Sequence, residues 1–491
     1  MFNKRKKFYI TTSIPYTNAP PHIGFALEAV QADVLARYHR NLGEDVFFLT
    51  GTDEHGIKTL RVAREAGRDV KDFADEMSGK FKELVRVLNI SNNDFIRTTD
   101  EIKHKPGVEK LWKKLDENGD IYKKKYKGFY CPGCEAFKTE KEIVDGRCPI
   151  HSKKLELVEE ENYFFRLSKY TKEIEKKITG GELEIIPESR KNETLSMLKR
   201  GMEDVSFSRM KDKYWGWPVP GNPSQNLYVW MDALTNYISA IGYSGPKGRH
   251  SQQFKKFWPA DVHCIGKDIM KFHTIFWPAM LLSAGLKSPK TIFVHGFINV
   301  NGQKMSKSLG NVVDPFELVR QYGVDAVRYY LLREILPTED GDFTYEKFEQ
   351  RYNSDLAGGI GNLVARTLGI ATKISNFKFL MSNKISNDKL SKKIKKTQKN
   401  YKLAIENFRF NEVLASIWEI ISFCDKYINE EKLWETPSIS SGRAKKLQVI
   451  NDLFFAIKEI GILLEPFLPE TAEKIKEQLK TGKGQPLFPR I

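Results

Sequence analysis

The sequence predicts an α/β protein: a parallel sheet interrupted by a long insertion and followed by an α-helical bundle. Three observations predict it. The opening residues alternate short apolar runs with an amphipathic helix. A cysteine-bearing stretch rich in Lys, Glu and Tyr then breaks that rhythm. The last quarter carries apolar residues only at helical spacing.

The elements follow in chain order. Residues 8–14 form a β-branched and aromatic run that Pro15 ends. Residues 26–42 put Leu27, Val30, Val34, Leu35 and Tyr38 at helical spacing, and 46–50 are a second apolar strand closed by Gly51. Strand, helix, strand starts a parallel sheet, in which ligands bind outside the carboxyl ends of the strands. The range 117–226 ends in a Trp/Pro/Gly stretch and reads as an insertion. From Leu227 the α/β pattern resumes, with a helix over 268–286 and a strand over 291–294. In the tail Ile405, Phe408, Val413, Leu414, Ile417, Trp418, Ile421, Cys424 and Tyr427 recur every three or four residues, as do apolar residues over 453–464. The expected domains are 1–116 and 227–354 as two halves of one sheet domain, 117–226 as the insertion, and 355–491 as the bundle.

Composition narrows the function. Apolar residues make up 41% of 491, enough for several cores and too many for a disordered chain. Lys and Arg number 79 against 63 Asp and Glu, a net +16 that favours a polyanionic partner. The tail from Asp355 holds 23 basic and 15 acidic residues, half of that surplus. Eight lysines between Lys384 and Lys402 face only Asp388, which reads as a solvated helix face adding salt-dependent attraction to nucleic acid. The longest apolar run, 275–286, carries Pro278 and is too short for a membrane span. No apolar core follows the basic N-terminus, so the reading is a soluble, cytoplasmic protein without a secretory signal.

Cys131-x2-Cys134 and Cys148-x2-His151 are two close pairs thirteen residues apart, with Pro132, Gly133 and Pro149 supplying turns. Four such ligands suit one tetrahedral Zn2+ and leave no open position, so the zinc is expected to be structural. Cys264 and Cys424 read as small buried hydrophobes.

At the first strand–helix junction stands Pro15-Tyr16-Thr17-Asn18-Ala19-Pro20-Pro21-His22-Ile23-Gly24-Phe25. Prolines release the chain into a helix whose free N–H groups suit an anion; His22 can donate to phosphate oxygens and Gly24 lets a nucleotide approach the backbone. A capped helix with a chance histidine fits these residues equally well. A second segment, Asn301-Gly302-Gln303-Lys304-Met305-Ser306-Lys307-Ser308-Leu309-Gly310-Asn311, sets two lysines three apart in a Ser/Gly loop. It is either a cationic arm that closes on phosphates or an ordinary hairpin loop.

Together HIGF and KMSKS resemble the two signatures of class I aminoacyl-tRNA synthetases. PYTNAPPHIG, GTDEHG at 51–56, FIRTTD at 95–100, the CPGC…CPIH insertion, VWMDA at 229–233, IGKDI at 265–269 with Phe272-His273, and VHG at 294–296 are similar to the methionyl-tRNA synthetases along essentially the whole chain. The resemblance implies a Rossmann-like catalytic domain split by a zinc-binding insertion, followed by a helical anticodon-binding domain. It implies activation of L-methionine by ATP, with Mg2+, and transfer of the methionyl group to initiator and elongator tRNA(Met). It assigns His22, Lys304 and Lys307 to the triphosphate, and Asn18, Gly24, Lys267 and Asp268 to the rest of ATP. Asp53 would hold the methionine ammonium, with Arg209 as a neighbour. Ile14, Tyr16, Trp230, Ala233, Tyr237, Phe272 and His273 would form the thioether slot, although Trp230 and Tyr237, seven apart on one face, read from the residues alone as core. Asn362, Arg366 and Trp434 would meet the anticodon; from the residues alone they are a cap, a surface charge and a core side chain.

Two positions depart from the family pattern: Phe25 replaces a second histidine, and Leu433 replaces the proline before Trp434. Rival readings are a sister synthetase for leucine, isoleucine, valine or cysteine, and a non-catalytic tRNA-binding paralogue. The first three sister enzymes carry a larger editing insertion than 117–226, and the cysteine enzyme holds zinc in its catalytic site. With no tRNA-binding module appended after the bundle, the chain reads as a monomer.

Overall fold

The computed structural model describes residues 5–131, 136–138, 143–149, 154–245, 249–305, 310–374, 385–435 and 440–491. The chain divides into two compact units, one of Met1–Pro21, His39–Arg86 and Ser91–His295, the other of His22–Tyr38, Val87–Ile90 and Gly296–Ile491.

The first unit is built on a six-stranded parallel sheet of β1 (Lys7–Thr12), β2 (Asp45–Thr52), β3 (Asp94–Arg97), β4 (Glu184–Ile186), β5 (Val262–Gly266) and β6 (Thr291–His295). The spatial order is β3-β2-β1-β5-β6-β4, so the winding reverses between β1 and β5, the kind of crevice in which α/β sheets bind ligands. Continuous apolar runs make these strands because both faces are covered; β1 and β5 are buried along nearly their whole length. Helix α1 (Ile23–Asn41) follows β1 in the chain. The range read as an insertion is more entangled with the sheet than its composition suggests, because it contributes β4. The rest of it includes a long antiparallel pair, Ile121–Cys131 with Glu156–Phe165, short strands, and the helices Thr171–Thr179 and Glu188–Lys199. Asp120 ties it down: buried, it accepts from Lys169 at 2.7 Å, from Ser283 at 2.7 Å and from the Tyr170 hydroxyl. Two residues after the strand Asn222–Leu227 ends, α2 (Val229–Leu234) begins, and it is buried throughout.

The helix expected over 268–286 is three pieces: a 3₁₀ turn Lys267–Ile269, a π-helical turn Phe272–Phe276, and an α-helix Trp277–Ser283. A π turn keeps the apolar rhythm but inserts one residue, so periodicity alone does not reveal it.

The second unit holds a three-stranded sheet with the hairpin Ile298–Val300 and Gln303–Lys304. Asn301 and Gly302 turn it at φ 53° and 73°, the left-handed pair a tight hairpin needs. Its helices include α3 (Val324–Arg333), α4 (Asn362–Ile374), α5 (Asp388–Glu406), α6 (Phe410–Glu430), α7 (Ser440–Leu464) and α8 (Pro469–Thr481). The single periodic run read over 405–427 is in fact two helices. Phe408 at φ 59° turns the chain between α5 and α6 while staying buried, so the apolar spacing continues across the break. Arg328, fully buried on α3, pairs with Asp33 of α1 at 2.8 Å and donates to the carbonyls of Leu88, Pro466 and Phe467. That clamp is one reason the two units cut across the ranges 1–116, 117–226, 227–354 and 355–491: residues of α1 belong with the tail. Among the described residues no helix is long and apolar enough to cross a membrane.

Candidate active site

The carboxyl edge of the sheet gathers most of the predicted amino-acid residues. Just beyond β1 and β2 the backbone carries the ladder one step further: Asp53 N–H donates to Pro15 O at 2.9 Å and Thr17 N–H to Asp53 O at 3.1 Å. Asp53 is 2% exposed and accepts from Thr98 Oγ1 at 3.5 Å. A carboxylate held so deeply suits a cationic ligand group.

The residues around it lock the loop. Glu54 is fully buried; Arg97 Nε and Nη2 reach its two oxygens at 2.5 and 2.9 Å, and the Thr99 hydroxyl donates to it as well. Glu54 N–H donates to Thr98 Oγ1 at 2.9 Å, and Trp217 Nε1 to Thr98 O at 2.9 Å. The motifs at 51–56 and 95–100 therefore interlock residue by residue, a role that reading them separately does not reveal. Arg209, expected as a neighbour of Asp53, has its Nη1 on Ser206 O and Ser208 O at 3.1 and 2.7 Å, with its guanidinium over the Tyr228 ring.

The slot residues converge. Trp230 stacks on Phe272 with ring centroids 3.8 Å apart and planes 7° from parallel; Tyr16 and His273 meet it edge-on at 6.5 and 6.1 Å. The π turn is what brings Phe272 and His273 there together. Ala233 is buried on α2, and Ile14 is half-buried against the same core. Trp230 Nε1 is buried and has no hydrogen-bond partner among the described residues. Ile269 O can only accept, so His273 carries its proton on Nδ1, bonded at 3.0 Å, and its Nε2 accepts from the Tyr237 hydroxyl at 2.7 Å. Beneath, Tyr237 stacks on His263 at 4.2 Å. His263 accepts at Nε2 from Trp277 at 3.3 Å and donates from Nδ1 to Thr11 Oγ1 at 2.8 Å. Burial, and secondarily His273, push His263 well below its ordinary value, so it is neutral.

On the nucleotide side, Asn18 lies half-buried in the turn after Thr17, and Lys267 and Asp268 follow β5. A side chain on Gly266 would stand 3.0 Å from Asp268 Oδ1 and 3.8 Å from the His295 ring, which places that carboxylate over the ends of β5 and β6. In the second unit, exposed His22 caps α1: its Nδ1 accepts from Gly24 N–H at 3.0 Å, leaving the proton on Nε2. A Cβ on Gly24 would lie 2.7 Å from the His22 ring and 3.8 Å from Met305 Cε. Glycine is thus needed for the imidazole to fold back, and the 304–305 segment passes beside it. Lys304 is exposed, its ammonium 5.3 Å from the Phe297 ring centre. Lys307 lies outside the described residues. Phe25 is 7% exposed and belongs to the packed interior.

Cys131, at the end of its strand, and Cys148 are both fully buried. Cys134 and His151 lie outside the described residues, and among the described ones no group of three or more potential ligands gathers. Two buried thiols flanked by turn residues fit one corner each of a tetrahedral thiolate site.

In the tail, Asn362 opens α4 and Arg366 lies one turn on. Arg366 Nη2 donates to Asn429 Oδ1 at 2.9 Å, and its Nη1 is 3.6 Å from Asp425. Trp434 is 57% exposed, too open for a core residue, while Leu433 beside it, where the family usually has proline, is buried. Lys446 reaches from α7 to Lys432 O at 3.0 Å and also to Glu435 O, bracing the turn.

Comparison with known proteins gives a consistent picture. The family model "tRNA synthetases class I (M)" matches residues 8–156 and 141–368, and that of the anticodon-binding domain of tRNA ligases matches 387–487. The chain is 45% identical to the methionine–tRNA ligase of Thermotoga maritima, over 99% of this chain and 80% of that protein. It is 44% identical to that of Clostridium tetani, over 99% and 79%. The methionyl-tRNA synthetase of Mycobacterium tuberculosis in complex with methionyl-adenylate superposes with a TM-score of 0.93 at 35% identity, covering 99% of this chain and all of that one.

Proposed function

The chain belongs to the class I methionyl-tRNA synthetases, and from that premise we propose which of its residues carry the reaction. The methionine carboxylate attacks the α-phosphorus of ATP and pyrophosphate leaves; a hydroxyl of the tRNA's terminal ribose then attacks the methionyl carbonyl and AMP leaves. Such chemistry needs positioning and charge stabilisation rather than a protein nucleophile.

Asp53 takes the ammonium. Ile14, Tyr16, Trp230, Ala233, Tyr237, Phe272 and His273 take the thioether, a polarisable sulfur against aromatic faces being worth ~0.3–1.5 kcal/mol per contact. His22 donates from Nε2 to the triphosphate, joined by Lys304 and Lys307, while Asn18, Gly24, Lys267 and Asp268 serve the remainder of ATP. Mg2+ supplies charge neutralisation to the phosphates. Cys131, Cys134, Cys148 and His151 would hold a structural zinc. Asn362, Arg366 and Trp434 read the anticodon of initiator and elongator tRNA(Met), the exposed indole offering a stacking face worth ~1–3 kcal/mol per base. We further propose a cytoplasmic monomer.

The observation that carries the reading is a deeply held carboxylate one bridge from a stacked indole and phenyl ring: Asp53 to Tyr16, Tyr16 to Trp230, Trp230 to Phe272. The test is amino-acid-dependent ATP–pyrophosphate exchange with methionine, leucine, isoleucine, valine and cysteine in turn. Exchange with methionine alone supports it. A protein that binds tRNA but exchanges with none would instead be a non-catalytic paralogue.

A further inference from the structure

A buried chain of polar side chains joins the two ends of the amino-acid pocket. Asp232, 1% exposed on α2, accepts from His55 Nδ1 at 2.6 Å and from His104 Nε2 at 2.9 Å; His104 Nδ1 meets Ser239 Oγ at 2.8 Å. All four side chains are almost wholly shielded from water. The rings of Trp215 and Trp217 stand edge-on to His55 at 4.8 and 5.1 Å. Burial alone would raise the Asp232 carboxyl, but the imidazoles, His55 foremost, hold it below the usual carboxylate range. An ionised, buried acceptor bonded this closely is among the stronger contacts a protein makes.

The placement gives the contact a use. His55 stands two residues after Asp53, and Asp232 two residues after Trp230 on the helix that also carries Ala233. Between Asp53 and His55, Glu54 is held by Arg97, and just after His55 the Gly56 N–H donates to Trp215 O at 2.9 Å. Asp53 therefore cannot shift without moving His55, nor Trp230 without moving Asp232. We propose that the His55–Asp232 bond is a strut that fixes the distance between the ammonium-binding carboxylate and the thioether slot. It sets the side-chain length the pocket accepts, with His104 and Ser239 holding the carboxylate from behind. His55 and Asp232 are positioning residues, not catalytic ones. The inference rests on Asp53 and Trp230 serving methionine.

The test is pyrophosphate exchange with methionine and with its S-ethyl homologue ethionine, on the wild type and on Asp232→Asn, His55→Ala and His55→Asn. Asp232→Asn and His55→Ala should raise KM for methionine at least tenfold, leave KM for ATP within twofold, and reduce the methionine-over-ethionine preference in kcat/KM at least fivefold. His55→Asn, whose amide N–H stands near the place of Nδ1–H, should restore KM for methionine to within about threefold of wild type. His55→Ala removes one bond of two, so it decides the matter should Asp232→Asn not fold. An unchanged ethionine preference, a parallel rise in both KM values, or no rescue by asparagine would overturn the strut. Absence of methionine exchange in the wild type would instead overturn the underlying reading.

Discussion

At the scale of single residues, the departures from the family pattern are the sharpest probes. Phe25 stands where a second histidine is usual, yet it is packed inside while His22 alone faces outward. Phe25→His should change the single-turnover rate of adenylate formation by less than tenfold; a larger rise would mean that the helix start and the lysine arm compensate poorly. His263 offers a pH probe. Its folded-state value is depressed below 6.5, so it stays neutral in the fold while the unfolded chain takes up a proton as pH falls through 6.5. Stability is thus full above pH 6.5 and declines below it, by ~1.4 kcal/mol between pH 7.5 and 5.5 for one such group. His263→Gln should remove about that much of the decline in denaturant unfolding at the two pH values; an unaltered decline would mean that His263 is protonated in the fold.

At the scale of elements, much of the sheet was legible because buried parallel strands are continuous apolar runs: β1, β2 and β6 fall within two residues of the runs that announced them. The π turn and the α5–α6 break were not, since both preserve apolar spacing while changing the backbone path. The strand Glu184–Ile186 was hidden by its brevity within a polar stretch. The slot was legible only through the motifs, as nothing in the spacing of Trp230 and Tyr237 separates a pocket from a core. The strut was illegible for another reason: His55 and Asp232 lie 177 positions apart, and only folding pairs them. The same holds for Arg328, which ties α1 to α3 and to the corner between α7 and α8. Arg328→Met would take one of two guanidinium partners from the buried Asp33 carboxylate, leaving Arg37 at 2.8 Å, and would withdraw the donors to three carbonyls, at a cost of about 3 kcal/mol in denaturant unfolding. A loss under about 1 kcal/mol would show that the clamp is incidental.

At the scale of the whole molecule, the charge surplus of +16 is concentrated in the tail, which holds half of it, and α5 shows how. Its apolar side buries Leu390, Ile394, Tyr401 and Ala404, while Lys389, Lys392, Lys395, Lys396, Lys399 and Lys402 remain exposed. Such a face attracts a polyanion at long range without reading its sequence. Changing Lys392, Lys395 and Lys399 together to Gln should slow tRNA association about threefold at ~0.02 M salt and hardly at all at ~0.3 M. Equal losses at both salts would instead make the face a specific contact.

The central claim is that Asp53 and the Trp230–Phe272 slot hold methionine while residues after β5 hold the adenosine. The most direct measurement is a crystal structure with a non-hydrolysable methionyl-adenylate analogue. It should show the ammonium within hydrogen-bond distance of Asp53, the sulfur against the rings of Trp230 and Phe272, and the ribose or adenine against Lys267 or Asp268. An analogue seated elsewhere, or one whose side chain leaves that slot empty, would contradict the account.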